Sequence, residues 1–468
     1  MPEPSLAVRA SKSMKTYTPK PDPAVLQRLR DYATLFADDF PQAKPALWTG
    51  VYLQGLLLDG ERKSIEPLAR RITVPEGLSS KDPEQALQPF VNQSPWDEQA
   101  VLRRYRARMA QTFADQEGIF VIDDTSFPKQ GKHSVGVQRQ YCGALGKKAN
   151  CQVAVSVHYV GPRGHYPLDL RLYLPDCWLQ DPARLDKAKV PTAERRTLTK
   201  PEIALELLDR VRSEALPGWA VVTDAGYGVS PTFRDGVAAR GLVYMAGVTS
   251  DFVVFPKQPR WVVAPPNPRG RPPTRGYLAP DNPPPVALQE LAKQVRLRKV
   301  TWREGSKGKL SARFAWLRVW PGHDWQHGSC AFAQPLWLLI EEQADGTLKF
   351  AFSNLTAGTS CKKAVRLWKS RWPVEQGYQQ MKEELGLDHF EGRSWRGFHH
   401  HAALVLLAYG FLALERQRAA AAEKPVKKSR YTQLSLPAIR RALQQLLAPR
   451  APSCCPHCHK ALGVSIPT

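Results

Sequence analysis

At 468 residues the chain is long enough for about two to four structural units and a substantial core. Its 66 Lys and Arg against 43 Asp and Glu leave a formal charge of +23, spread along the whole length, which favours a polyanionic partner without deciding between DNA, RNA and an anionic membrane. No apolar leader region opens the chain, no apolar run of membrane-spanning length is read, and eight irregularly spaced cysteines fit a reduced, cytoplasmic protein better than a disulfide scaffold.

Residues 1–20 are polar and basic and read as a flexible arm. From Pro23 to about Ala110 the pattern is helical, with one apolar stripe at Val25, Leu26, Leu29 and Leu35 and another at Trp48, Tyr52, Leu56 and Leu57. Ser94-Pro95-Trp96 predicts the cap of a basic helix over Trp96–Met109. The cations of Asp59–Arg71 suit either a solvated face or a phosphate backbone.

Gly118–Lys132, GIFVIDDTSFPKQGK, carries an apolar run that predicts a buried strand ending in Asp123, Asp124 and Thr125. Lys129, Lys132 and His133 follow as a basic turn suited to a phosphate. Strands are predicted over Cys151–Val160 and Leu168–Leu174, then a helix over Pro201–Leu216. Trp219–Gly228, WAVVTDAGYG, repeats the first design: an apolar strand, Asp224, then a glycine-flanked turn. Ser230-Pro231 caps a helix running to Arg240, and Leu242–Val248 makes a fifth strand.

Pro256–Pro285 is dense in proline and arginine and reads as an extended connection. Lys299–Trp320 and Leu336–Leu355 alternate apolar and polar residues about Gly308 and Asp345-Gly346, as hairpins do. Trp302, Trp316, Trp320 and Trp337 in this block read mainly as strand packing, with stacking on a flipped base as the alternative. In Trp368–Lys382, WKSRWPVEQGYQQMK, the residues Trp368, Arg371, Glu375 and Lys382 sit at offsets 0, 3, 7 and 14. On an unbroken helix they would fall within an arc of about 60°, a face too polar for core; Pro373 predicts a kink or a fresh start near Trp372. His399, His400 and His401 point about 100° apart on a helix and cannot share one ion; an apolar helix over Ala402–Leu414 follows. Lys424–Arg430 reads as a basic linker and Leu436–Leu447 as a short helix. The final SCCPHCH has only half the ligand spacing of a structural zinc site.

Carboxylates at the ends of buried strands are costly unless paired or bound to a cation. The strand-end aspartates and the Glu375 helix together supply three carboxylates, the donor set of a two-Mg²⁺ site for phosphoryl transfer, where hard ions take oxygen ligands and their waters become nucleophiles.

These stretches resemble the DDE transposases of bacterial insertion sequences, in the cut-and-paste branch marked by Tyr, Arg, Glu and Lys at the spacing found here, with Trp368 in the tyrosine position. The resemblance spans roughly Phe113 to Tyr409. It implies an α/β fold with a ribonuclease-H-like catalytic core, an inserted β-rich subdomain and a helical N-terminal domain. The implied boundaries are 1–112 for the helical DNA-binding region, 113–250 and 357–420 for the two parts of the core, 251–356 for the insertion and 421–468 for the tail. It implies a catalytic and metal-binding triad of Asp124, Asp224 and Glu375, with Asp124 preferred over Asp123 because the family's acid directly precedes Thr or Ser. It further implies DNA contacts from Trp368, Arg371 and Lys382, beside those expected of Lys129, Lys132 and His133. Two Mg²⁺ ions (Mn²⁺ substituting), transposon-end and target double-stranded DNA, and a homodimer assembled on DNA complete the expectation. The rivals are a related nuclease without strand transfer and a transposase-derived DNA-binding protein.

Overall fold

The computed structural model describes residues 22–74, 78, 82–263, 276–305, 308–328, 330, 333–422 and 435–447. The arm at 1–20, the middle of the proline-dense connection, the Lys424–Arg430 linker and the SCCPHCH tail lie outside the described residues.

Five helices come first: α1 (Ala24–Thr34), α2 (Ala43–Leu57), α3 (Ile65–Ala69), α4 (Pro83–Asn92) and α5 (Glu98–Phe113). The basic helix starts two residues later than Ser94-Pro95-Trp96 predicts, because Asp97 is the residue whose carboxylate accepts from Gln99 N, while Trp96 turns into the core. Four strands follow: β1 (Ile119–Pro128), β2 (Gln138–Cys142), β3 (Lys147–Gly161) and β4 (Gly164–Leu172). Next come α6 (Asp176–Leu179), α7 (Pro182–Lys187), α8 (Lys200–Ser213), β5 (Ala220–Thr223), α9 (Ala225–Gly228), α10 (Pro231–Ala239) and β6 (Val243–Val248). Thr199 and Glu202 form a reciprocal capping box at α8, and Ser230 caps α10.

The β-rich stretch contains β7 (Val253–Phe255), β8 (Trp261–Val263), β9 (Gly276–Leu278), β10 (Val286–Ala287), α11 (Leu288–Gln294), β11 (Arg298–Gly305), β12 (Gly308–Pro321), β13 (Leu336–Glu342) and β14 (Leu348–Ser353). The chain then enters α12 (Cys361–Lys369), α13 (Trp372–Glu383), α14 (Trp395–Ala422) and α15 (Leu436–Leu447).

Twelve strands form one mixed sheet along the path β10-β7-β12-β13-β14-β6-β5-β1-β3-β2, with β4 on β3 and β11 on β12. Among the described residues, only β1, β5 and β6 run parallel to one another. The β-rich stretch is therefore not a sheet apart: β14 pairs with β6 and continues the central sheet outward. Within it Trp316 and Trp337 stack on each other at 4.5 Å, and each indole N–H donates to a carbonyl, of Thr359 and Thr356.

The N-terminal helices are likewise not a separate body. A helix apolar all round must be covered all round, and α14 is covered by α1, α2, α4, α5, α15 and β4 within one continuous core. Its length and composition would suit a membrane span, unlike the expectation above, but it is almost wholly buried in protein. Gly410 lets α5 approach, since a Cβ there would lie 2.4 Å from the Tyr105 ring. The three histidines sit in this core. His399 bonds Trp395 O and Leu172 N, His400 the carbonyls of Val91 and Trp96, and His401 Tyr52 Oη and Gly386 O. Burial holds all three below the usual imidazole range, at about 4, 3 and 4.

Of the basic residues in the helical region, Lys63 and Arg106 are buried in the fold, and others form ion pairs at the surface. Arg62 pairs with Glu391, Arg70 with Glu66 and Arg104 with Asp39. Lys63 is buried, donating to the carbonyls of Leu56 and Leu58. Arg106 and Arg210 flank the fully buried Asp169, at 3.5 and 2.8 Å.

Candidate functional site

The site begins with alternation along β1. Successive strand residues point to opposite faces, so Asp123 and Asp124 cannot face the same way. Asp123 turns toward α13 and is buried; its Oδ2 accepts from Arg371 at 2.9 Å. Asp124 turns toward α8 and stays half-exposed; its Oδ2 takes the Lys200 ammonium at 2.6 Å. Asp224 follows the last residue of β5, and Thr223 is level with Ile122, so Asp224 emerges beside the two β1 acids.

Asp224 caps the short α9, accepting from Gly226 N at 2.9 Å. Two glycines let that turn lie flat on β6. A Cβ on Gly228 would meet Gly247 O at 2.0 Å, and one on Gly247 would meet Ala225 N at 2.8 Å. Any side chain at either position pushes the Asp224 turn off the sheet.

The helix bearing Glu375 does start afresh. α12 ends at Lys369, Arg371 is the N-cap of α13, and Pro373 occupies the first turn, where its missing N–H costs nothing. From that cap Arg371 spans two acids, Asp123 and Glu375, the latter at 2.5 Å. The break also separates the four signature residues. Trp368 on α12 is buried, and its indole donates to Glu341 Oε2 of β13 at 2.8 Å, with Lys369 on the same carboxylate. Lys382 donates to Ser126 O at 2.9 Å over the Phe127 ring, and burial lowers its pKa. Tyr378 binds Ser156, completing three ties that dock α13 on β1 and β3.

Lys129 is drawn inward as well, donating to Phe390 O at 2.7 Å. Lys132 and His133 are exposed on the turn beyond β1. Two residues that the motif reading passes over join the site: Lys200, whose only sequence signal is a place in the first turn of α8, and Trp372, 54% exposed beside Arg371.

The electrostatics are those of crowded acids. Burial pushes Asp123 up to about 7, with Arg371 opposing and Asp224 and Asp124 adding to the rise. Asp224 is raised by burial first and then by Asp124, the carboxylate acting most strongly on it. In this arrangement Lys200 and Arg371 supply the neutralising charge, and among the described residues no three His, Cys, Asp or Glu side chains close on a single point. The donor chemistry fits a hard divalent ion: Asp124, Asp224 and Glu375 are carboxylates, all at least partly accessible. Asp123 is the inaccessible member, committed to Arg371.

A family model described as DDE superfamily endonuclease matches residues 35–309, a span that includes Asp123, Asp124 and Asp224 and stops short of Glu375. A probable transposase for insertion sequence element IS701 from Microchaete diplosiphon is 29% identical over 244 residues, 51% of this chain and 59% of that protein. The chain thus spans under two thirds of the length of this relative. A solved piggyBac transposase synaptic complex with hairpin DNA covers 91% of this chain and 80% of its own, at 10% identity and a TM-score of 0.43, a loose likeness of shape.

Proposed function

The chain belongs to the DDE superfamily of endonucleases, and from that premise we propose that it is an insertion-sequence transposase that binds transposon ends, cleaves them and joins the freed 3′ ends to target DNA. The observation that carries the reading is the juxtaposition of Asp224 with Asp124, the carboxylate that most strongly raises it, while Arg371 ties Glu375 of α13 to Asp123, the strand neighbour of Asp124.

The central strands, ordered β4-β3-β1-β5-β6 with β1, β5 and β6 parallel, support a ribonuclease-H-like core for this site. Asp124, Asp224 and Glu375 would hold two Mg²⁺ ions, or Mn²⁺ in their place, and such ions supply a nucleophile from water and neutralise charge on the scissile phosphate. The chain's own residues do the positioning. Asp123 fixes Arg371, and Arg371 holds Glu375 at the start of α13. Lys382 and Tyr378 lock the rest of α13 to the strands, so Glu375 is presented by a rigid helix rather than a loop. Lys200, on half-exposed Asp124, would be free to turn to a phosphate, while Arg371 stays fixed by Asp123 and would offer the rest of its planar fork. Lys132 and His133 add phosphate contacts on the turn after β1. Trp368 serves the DNA indirectly, by holding α12 against β13. The protein would act in the cytoplasm on double-stranded DNA, as a homodimer assembled on two ends.

The test is a nicking assay on a duplex carrying the inverted repeat that flanks the gene. Wild type should nick it with Mg²⁺, and Asp224→Asn should not while still binding it. Binding by wild type without nicking in Mg²⁺ or Mn²⁺ would instead make the chain a DNA-binding descendant of a transposase; nicking without joining would make it a nuclease.

A further inference from the structure

The hairpin of β2 and β3 carries a surface that the cleavage site does not use. It turns through Gly143–Leu145, with Gly146 left-handed at φ 63°. Tyr141 lies opposite Lys148 and Arg139 opposite Asn150, and residues directly opposite point the same way. Arg139, Tyr141, Lys148 and Asn150 therefore form one ladder. Counting by twos along β3 from Ser156, the partner of Asp123, reaches Asn150 and Lys148, so the ladder shares the sheet face of Asp123 and α13.

The opposite face of the hairpin is closed. Cys142 and Cys151 are buried, and Ala144 N donates to Ser126 Oγ at 2.9 Å, two residues beyond Asp124. Asn150 Nδ2 donates to the carbonyls of Lys129 and Gly131, at 2.7 and 2.9 Å, which pins the hairpin to the turn bearing Lys132 and His133. The hairpin is thus a fixed support with one free face. Arg139 and Lys148 are exposed on it, and Lys147, opposite Cys142 at the turn end of the hairpin, is exposed on the other side; among the described residues none of the three makes an ion pair or side-chain hydrogen bond. Tyr141 is 63% exposed and Leu145 48%.

Lysines on an edge strand commonly serve to stop sheets pairing edge to edge. That accounts for the cations but not for an exposed tyrosine and leucine among them, which would invite the association the lysines oppose. Cations that bracket a free aromatic ring are instead the makings of a nucleic-acid surface, charge for phosphates and a ring for a base or sugar. Eight residues of strand separate Ser156 from Lys148, roughly 26 Å at ~3.3 Å per residue and less than one turn of B-DNA.

We propose that the β2–β3 hairpin grips DNA alongside the cleaved end, with Arg139, Lys147 and Lys148 on phosphates and Tyr141 packed on the nucleotide they bracket. This rests on the reading of the neighbouring acids as a DNA-cleaving site.

The test is anisotropy of a labelled 30-base-pair duplex of arbitrary sequence over a salt series. Wild type is compared with the Arg139→Gln, Lys147→Gln, Lys148→Gln triple variant and with Tyr141→Ala alone. The triple variant should bind with a log–log salt slope shallower by about 0.9 per lost contact, a change of roughly 2 to 3, at an unchanged Tm. Tyr141→Ala should weaken binding roughly tenfold with the slope kept, as loss of a stacking contact does. If wild type binds DNA steeply and nicks it while the triple variant keeps the same slope and affinity, the hairpin proposal falls and the cleavage reading stands. If wild type does not bind the duplex, both fall. Phosphatidylserine vesicles captured by wild type and lost by the triple variant, with DNA binding unchanged, would assign the surface to a membrane and overturn the DNA partner.

Discussion

The two faces of β1 carry adjacent aspartates with opposite fates. On one face Asp123 is sealed under α13, its charge answered by Arg371 at 2.9 Å and its pKa pushed up to about 7 by burial. On the other, Asp124 stays within reach of solvent, answered by Lys200 at 2.6 Å, and is the acid that most strongly raises Asp224. The sealed acid organises a helix; the open one is, in the function proposed above, the one that would exchange its partner for an ion. A period of two along a strand is enough to divide structural from chemical duty between neighbours.

The division can be broken from either side. The largest effect is expected at the open acids. Asp224→Asn and Glu375→Gln should lower single-turnover nicking by at least about 100-fold while end affinity changes little, because ligands of the ion serve the chemistry and phosphate contacts serve binding. Next comes acid pH on the sealed side. Burial lowers His158 and His165 to about 3, and His399, His400 and His401 to about 4, 3 and 4. A depressed imidazole contributes stability above its unfolded value, near 6.5, and loses it as pH falls toward the folded value. Tm should therefore drop between pH 7 and pH 5, with about 1–2 kcal/mol at stake for each group. A flat Tm over that window would mean these rings are not buried as described.

Smaller effects separate the two ion pairs. Arg371→Ala leaves Asp123 buried without its partner and should cost about 3–5 kcal/mol in denaturant unfolding. Lys200→Ala breaks a half-exposed pair and should cost no more than about 1 kcal/mol. Equal costs would erase the distinction between the faces.

Asp224 was legible because its signal is local: an apolar run, one aspartate, then a turn; the same pattern misplaced Asp123 and Asp124 at a strand end, since β1 pairs with β3 through them as far as Pro128. The fresh start at α13 was legible too, from Pro373. Partners brought together across the chain were not. Nothing near Lys200 announces that it meets Asp124, 76 residues away. The offsets of Trp368 and Lys382 describe one helical face only if the helix is unbroken. Once Pro373 restarts it, Trp368 goes to Glu341 and Lys382 to Ser126. The same limit hid the role of α14. Its apolar character was visible, but not that helices from both ends of the chain and β4 would share it as one core. Likewise the alternating hairpins of the β-rich stretch gave no hint that β14 would join β6.

The central claim, that the open acids hold the ion and the sealed one does not, is tested most directly by exchanging each for cysteine. Asp123→Cys, Asp124→Cys, Asp224→Cys and Glu375→Cys would be assayed for nicking of end DNA in Mg²⁺ and again in Mn²⁺. Mg²⁺ demands oxygen ligands, and Mn²⁺ tolerates a thiolate better. The account predicts silence in Mg²⁺ for the Asp124, Asp224 and Glu375 variants with activity regained in Mn²⁺, and no metal-dependent switch at Asp123. A Mn²⁺ rescue at Asp123 with none at Asp124 would contradict it.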